Sequence, residues 1–433
     1  MNNDKASKPL AGFSGGIQRL RMQVFAITWL AYAAFYFTRK SFSVAKLGFE
    51  DDPSFIIDKA TMAQMDALYL AAYAIGQFAW GVAADRFGPR VVVFGGLIIS
   101  ALAAIMMGTM ATLPIFASCM VIQGLAQSTG WSGLCKNLSS FFTTQERGRV
   151  LGLWSSCYAF GGLVASPFAG WWAYHIFGSW RFAFFSSAIV VLGVALLFLL
   201  LQRNRPQDAG YPALVDENRP AGASTRNSVA GNGWLSSLKE VMQSRTILVL
   251  GLCYFLLKPA RYALLFWGPL MVYERMPQIG KMAAVIIPTS FEVAGLFGPI
   301  LVGFVSDKLF RAKRFPACAL SLILLAIMLM LFVPAMNSGN VILVVTILFV
   351  IGLTLYGPDS MISGAAAVDF GGRSAATASG FVNGCGSVGA ILGGILPGFF
   401  DSQSVFMFFT AMALVAMLLT ASRWNLRPTP LPA

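Results

Sequence analysis

Residues 81–90 read GVAADRFGPR, and residues 303–314 read GFVSDKLFRAKR. Gly303 lies 222 residues after Gly81, and Asp307 lies the same distance after Asp85. Applied to Arg39, that offset gives Arg261, so each copy of the motif is preceded by an arginine at the equivalent place in an apolar stretch. A second correspondence, Gly152 with Gly380 and Gly161 with Gly389, runs at an offset of 228. The chain therefore reads as two related halves. In each motif the glycine permits close helix packing at the end of a span, and the acid beside basic residues can form a charge cluster that latches and releases. Asp85, Arg86, Arg90, Asp307 and Lys308 are the candidates for that gating role.

Composition says what surrounds the repeat. Of 433 residues, 57% are hydrophobic and 11% charged, where a soluble domain carries roughly 25% charged. That much apolar surface needs a bilayer as solvent. Hydropathy predicts an all-α membrane protein with spans near 24–47, 60–84, 91–111, 114–142, 149–176, 180–202, 246–273, 280–304, 316–335, 339–362, 374–398 and 403–423. Residues 203–245, rich in Pro, Gly, Asn, Arg and Asp, read as a linker between a six-helix bundle over 1–202 and another over 246–433. No cleavable signal peptide is expected ahead of residue 24, because a hydrophilic segment precedes a full-length span. The cysteines at 119, 135, 157, 253, 318 and 385 lie in apolar stretches without a C-x-x-C pair, and His175 has no companion ligands. They predict neither disulfide, metal nor cofactor.

The net charge of +13 has a topological reading. No basic run interleaved with aromatics suggests nucleic acid. Counted outside the spans, 21 Lys and Arg fall on the side of the termini and linker, and five on the other: Lys46, Lys59, Arg181, Arg275 and Lys281. The positive side is expected to be cytoplasmic.

Five cations are left inside spans: Arg39 and Lys40 in span 1, Lys136 in span 4, Lys258 and Arg261 in span 7. At roughly 2.5–3.5 kcal/mol each, five facing lipid would cost about 12–18 kcal/mol. They are expected to face water or one another. Glu292 in span 8 and Asp359 in span 10 are the acids taken to oppose them, which leaves a surplus of three positive charges for an anionic ligand. Under a pseudo-two-fold along the membrane normal, Arg39 and Arg261 approach the axis from opposite sides at one depth. Two forked guanidiniums suit the oxygens of a phosphate or phosphonate better than ammonium groups do. Asp359 has two readings, a buried pair with Lys258 or Lys136, and a receiver for a substrate amine or hydroxyls.

The G-x-x-x-D-R and G-x-x-x-D-K motifs resemble those of the major facilitator superfamily. A narrower set resembles its organophosphate:phosphate antiporter family over nearly the whole chain: YAAFYFTRKSF at 32–42, Gly130-Trp131 followed by Lys136, YALLFW after Arg261, FEVAG around Glu292, and Tyr356-Gly357-Pro358. The resemblance implies that Arg39 and Arg261 bind phosphate, and that Lys40, Tyr32, Tyr36, Trp131, Trp154 and Tyr262 fall at or beside the translocation path. This chain departs from relatives such as the glycerol-3-phosphate transporters at three places. Gln77 replaces a span-2 lysine, Tyr158 a span-5 histidine, and Trp131-Ser132-Gly133 a W-P-P. Asp359 stands where those relatives have an uncharged residue. With Asn383 in span 11, these residues complete the candidate substrate-binding set.

The expected function is therefore exchange of an organophosphate, a phosphorylated C3 compound or sugar phosphate, for inorganic phosphate by alternating access. The alternatives are transport of a phosphonate such as aminoethylphosphonate, and a transporter-like sugar-phosphate sensor. No nucleophile or metal cluster among the intramembrane residues suggests an enzyme. A monomer in a bacterial inner membrane is expected, with both termini cytoplasmic and no nucleic-acid partner.

Overall fold

The computed structural model describes residues 11–110, 112–142, 144–212, 239–311, 313–371 and 375–426. They form twelve helical spans in the predicted order: Ala11–Ala45, Lys59–Phe87, Pro89–Thr109, Leu113–Ser139, a fifth built from Thr144–Trp154 and Ser156–Gly170, Arg181–Leu201, Arg245–Arg275, an eighth built from Gly280–Ile286 and Thr289–Phe304, Arg314–Asn337, Val341–Ser360, Ala375–Phe399 and Ser402–Ala421. By length and composition alone, nine of the described helices can cross a membrane, and spans 2, 4 and 5 are the others. Spans 2 and 4 dilute their apolar content with groups turned inward, Asp66 in span 2 and Gln123 and Gln127 in span 4. The first helix starts well before residue 24, because Arg21 is held in the fold by the Phe141 carbonyl at 2.7 Å and by Glu146.

Local chemistry sets the ends. Asp58, Ser244, Asn340 and Asp401 cap spans 2, 7, 10 and 12 by accepting from the backbone N–H three residues on. The turn between spans 2 and 3 passes through Gly88 at φ +84°, a region that glycine enters without a Cβ penalty, and Pro89 then starts the next helix. In the second motif a positive φ falls on Arg311, at +51°, one residue beyond the position that the 222-residue offset gives for Gly88.

The packing repeats as the motifs do. Span 1 lies on spans 5 and 6, span 2 on span 4, and span 3 on spans 4 and 6. Span 7 likewise lies on spans 11 and 12, span 8 on span 10, and span 9 on spans 10 and 12. The two sets meet through spans 2 and 11, 5 and 8, and 1 and 7. Where spans 2 and 11 meet, Gly394 faces Leu70 and Asp66, and Gly398 faces Ala63 and the Lys59 carbonyl. That end, which carries residues 46–58 and 276–281, is sealed. At the other end Thr144–Trp154, Val305–Leu309 and Ala367–Gly371 take their main contacts from their own set of six spans, so the interior opens there.

Prolines inside the helices prepare carbonyls for the interior. Pro269 has no N–H for Leu265, whose oxygen instead accepts from Lys40 Nζ at 3.2 Å and Ser43 Oγ at 3.3 Å on span 1. Pro358 likewise frees the Thr354 carbonyl, which accepts from Ser321 Oγ on span 9 at 3.0 Å. Asp359 follows that proline directly.

Candidate functional site

Arg39 and Arg261 occupy equivalent turns of spans 1 and 7, and both are buried. In each set the fourth span supplies the side chain that holds the arginine. Arg39 Nε donates to Gln127 Oε1 at 3.0 Å, an oxygen that also accepts from the Tyr69 hydroxyl at 2.7 Å. Gln127 is itself fixed through its amide nitrogen, which donates to Thr38 Oγ1 at 3.2 Å and to Gln123. Arg261 Nη1 donates to Asp359 Oδ2 at 3.1 Å, and Lys258 Nζ lies 3.1 Å from Asp359 Oδ1. That second contact is an ion pair without hydrogen-bond alignment. One arginine thus faces a neutral amide and the other a carboxylate shared with a lysine.

Aromatic faces complete both cradles. The Arg39 guanidinium carbon sits 4.5 Å from the Tyr36 ring centroid and 4.9 Å from that of Tyr73. Arg261 sits 4.6 Å from Tyr356 and 5.3 Å from Tyr158, two rings stacked 6.4 Å apart at 14°. Such faces stabilise a desolvated cation without neutralising it. Arg39 Nη2 and Arg261 Nε are buried with no hydrogen-bond partner, so each guanidinium keeps a donor for a ligand oxygen.

Between the arginines lies a third pair. Lys40 Nζ stands 3.3 Å from Glu292 Oε1, and the Tyr356 hydroxyl donates to Glu292 Oε2 at 2.5 Å. This pair joins span 1 to span 8. Glu292 fits because span 5 presents Gly162, where a Cβ would stand 2.8 Å from the carboxyl carbon.

The other predicted residues are distributed unevenly. Tyr32 packs on Tyr36, Trp131 and Trp154, while Trp154 is fully buried and donates to Thr28 Oγ1 at 3.2 Å, which makes it a support behind the wall. Tyr262 lies 5.8 Å from Lys258 Nζ. Gln77 is half-buried on span 2, one turn beyond Tyr73. Lys136 and Asn383 stand apart from the central group. Lys136 occupies the last turn of span 4 and donates to the Ala84 carbonyl at 3.0 Å, and Asn383 is exposed and donates to the Ser379 carbonyl at 2.9 Å. Lys136 is therefore not a partner of Asp359.

The gating candidates are held within their own sets. Arg314 bridges Asp307 at 2.8 Å and Asp369 at 3.1 Å. Arg90 donates to the Leu199 carbonyl, and its backbone N–H donates to Asn204 Oδ1 at 2.8 Å. Arg86 and Lys308 are exposed beside Phe87 and Phe304. The side chain of Asp85 lies outside the described residues. These clusters flank the open end, and the described contacts of Arg314 and Arg90 stay within one set of six spans.

The sequence reading missed one buried pair. Lys46, counted there among the cations outside the spans, is fully buried and lies 2.5 Å from Asp66 Oδ2. Asp66, inside span 2, is a third intramembrane acid. A lone carboxylate within an apolar span demands a partner, and that was the available signal.

Against known families, the model described as Major Facilitator Superfamily matches residues 28–394. The chain belongs to that superfamily, and within it to the organophosphate:phosphate antiporter family. It is 30% identical to a probable hexose phosphate transport protein of Chlamydia muridarum, covering 94% of this chain and 91% of that one. It is 26% identical to the glycerol-3-phosphate transporter of Bacillus subtilis, covering 94% and 93%, and 28% identical to the membrane sensor protein UhpC of Escherichia coli, covering 86% and 84%. Among solved structures, a bacterial homologue of the human lysosomal transporter Spinster, described as inward-facing and unoccupied, superposes with a TM-score of 0.75 at 17% identity, covering 96% and 99%.

In this superfamily carrier the charge count changes. Lys136 leaves the central group, and Lys46 and Asp66 cancel each other nearer the sealed end. Among the described residues of that group, Arg39, Lys40, Lys258 and Arg261 face Glu292 and Asp359, a surplus of two positive charges instead of three.

Proposed function

We propose that this carrier exchanges an organic phosphate ester for inorganic phosphate by alternating access, with Arg39 and Arg261 gripping the phosphoryl oxygens from the two halves. The observation that carries the reading is the pair of buried guanidiniums on tyrosine faces, each with an unpartnered N–H. Relatives named for hexose phosphate and glycerol-3-phosphate support the substrate class. The sealed end is assigned to the outside, because the open end carries the excess of Lys and Arg. The two bundles, 1–202 and 246–433, rock about the contacts between them, with residues 203–245 as the link.

Charge explains why exchange is coupled. Unloaded, the two buried arginines carry like charge on opposite halves, and their repulsion grows as water leaves the site on closing. A phosphate between them converts that repulsion into attraction, so the loaded form crosses the barrier. Return then requires another anion. A bacterial inner membrane, cytoplasmic termini and a monomer complete the reading.

In vesicles preloaded with inorganic phosphate, labelled phosphate counterflow is expected in the native protein and lost in Arg39→Lys and in Arg261→Lys, which keep the charge but lose the fork. Retained exchange in both variants overturns the assignment. The similarity to a membrane sensor protein supports a second reading, in which the same pocket detects its ligand without moving it. Phosphate binding without counterflow would select it. A panel of glycerol-3-phosphate, hexose phosphates and aminoethylphosphonate ranks the ester and phosphonate readings.

A further inference from the structure

We infer that Asp359 sets the charge of the substrate, matching the site to a dianion and penalising a ligand with one negative charge more; the inference rests on the phosphate-ester reading and deepens it. The starting point is a place, at the arginines themselves, where the two-fold relation fails. Spans 1 and 7 present equivalent arginines, and spans 4 and 10 present the residues that hold them. Gln127 holds Arg39 with an amide and leaves its charge intact. Asp359 holds Arg261 with a carboxylate and takes Lys258, one turn earlier on the same helix, on its other oxygen.

The consequence is a count. The central group carries a surplus of two, with Lys40 already matched by Glu292, Arg39 uncompensated, and Lys258 and Arg261 sharing one carboxylate. A phosphate monoester above pH 7 carries about two negative charges, its second ionisation lying near pH 6. With such a ligand the closed, dehydrated site is neutral. A phosphorylated carboxylic acid carries three charges, and the third faces Asp359 in a space where water no longer screens it. The organic part favoured by this geometry is therefore uncharged, a polyol or sugar, and phosphocarboxylates are excluded electrostatically. Asp359 is placed for this role, being buried and in direct contact with an arginine that keeps a free donor toward the ligand.

The test is competition of labelled phosphate counterflow at pH 7.5 by glycerol-3-phosphate and by 3-phosphoglycerate, which differ chiefly by the carboxylate. The native protein is expected to favour the dianion. Asp359→Asn raises the surplus to three and should move the ratio of inhibitory concentrations toward 3-phosphoglycerate by about tenfold or more, a modest share of one uncompensated charge at low dielectric. Asp359→Glu should keep the native ranking. Lys258→Gln lowers the surplus to one and should move the ranking the opposite way. The double variant Lys258→Gln/Asp359→Asn restores a surplus of two and should restore the ranking, which keeps the inference testable if Asp359→Asn does not fold. Counterflow with an unchanged ranking in Lys258→Gln and in whichever Asp359 variant folds overturns the inference alone. So does loss of aminoethylphosphonate recognition in Asp359→Asn without a gain for 3-phosphoglycerate, because Asp359 would then be reading an ammonium. No phosphate counterflow in the native protein overturns the phosphate-exchange reading, and the inference falls with it.

Discussion

Lys46, at the start of the turn after span 1, and Asp66, on span 2, meet at 2.5 Å, and the same ammonium donates to the Phe266 carbonyl on span 7 at 3.2 Å. It also lies 3.6 Å from the Trp267 ring centroid and 5.0 Å from that of Phe42. Trp267 in turn donates from its indole nitrogen to the Gly394 carbonyl on span 11 at 2.9 Å. One buried ammonium thereby ties both sets of six spans together at the sealed end, and Asp66 supplies the opposing charge there.

Removing one member of this pair leaves the other buried and uncompensated, which costs about 3–5 kcal/mol. Asp66→Asn should lower the melting temperature of the detergent-solubilised protein by several degrees. Replacing both together, Lys46→Met with Asp66→Leu, removes the stranded charge and should recover most of that loss. An Asp66→Asn protein that melts with the native one would show that the pair contributes nothing to the sealed state.

The rim of the same end makes a useful contrast. Lys59 Nζ reaches Glu274 Oε1 at 2.6 Å, and Lys281 pairs with Asp51, each contact crossing between the two sets. Half the Lys59 side chain and much of the Asp51 side chain remain exposed, so each pair is worth about 0–1 kcal/mol. Lys59→Gln should change exchange rates less than about fivefold and be sensitive to salt. A fall in melting temperature as large as that of Asp66→Asn would mean that the rim pairs, and not the buried hub, hold the seal.

Glu292 supplies a steric prediction. Its carboxylate is pinned by Tyr356 and Lys40 against the bare Cα of Gly162 on span 5. Gly162→Ala pushes into that carboxylate and should cost about 1–3 kcal/mol, the usual range for overpacking. Glu292→Ser opens the space but strands Lys40, so the double variant melts low, and the test is that Gly162→Ala costs less in the Glu292→Ser background than in the native one. A Gly162→Ala protein with native stability would place Glu292 elsewhere.

How much of this was legible depends on the physical scale of each signal. The membrane fold rests on period and apolar length, which are local, so all twelve spans were readable even where Asp66, Gln123 and Gln127 thin the hydropathy. Arg39 and Arg261 were readable because a repeat places them on one footing. Depth was harder. Lys136 reads as intramembrane from its neighbours, yet it sits in the last turn of span 4 beside the end of span 2. Lys46 errs the other way, because the chain beyond Ala45 does not leave the fold but continues as the turn Lys46–Asp51, whose first four residues are buried. Its pairing with Asp66 depends on how two helices cross, and no spacing in either helix records that.

The two ends of the molecule should respond oppositely to an added methyl group. At Gly398 a Cβ would overlap the Ala63 side chain and crowd the Lys59 carbonyl, so spans 2 and 11 could not close as they do. At Gly303, the glycine of the second repeated motif, a Cβ would meet nothing within 4 Å. The sequence suggests close packing at that motif, and in this conformation Gly303 has no such neighbour. Gly398→Ala should therefore destabilise this conformation and increase labelling of engineered cysteines lining the sealed end. Gly303→Leu should leave melting unchanged while slowing exchange, because its side chain meets resistance only when the open end closes. The single alanine at 303 should have little effect in either assay. If Gly303→Leu exchanges at the native rate, close packing at the motif glycine is not part of the transport cycle, and the latch at that end must rest on its charges alone.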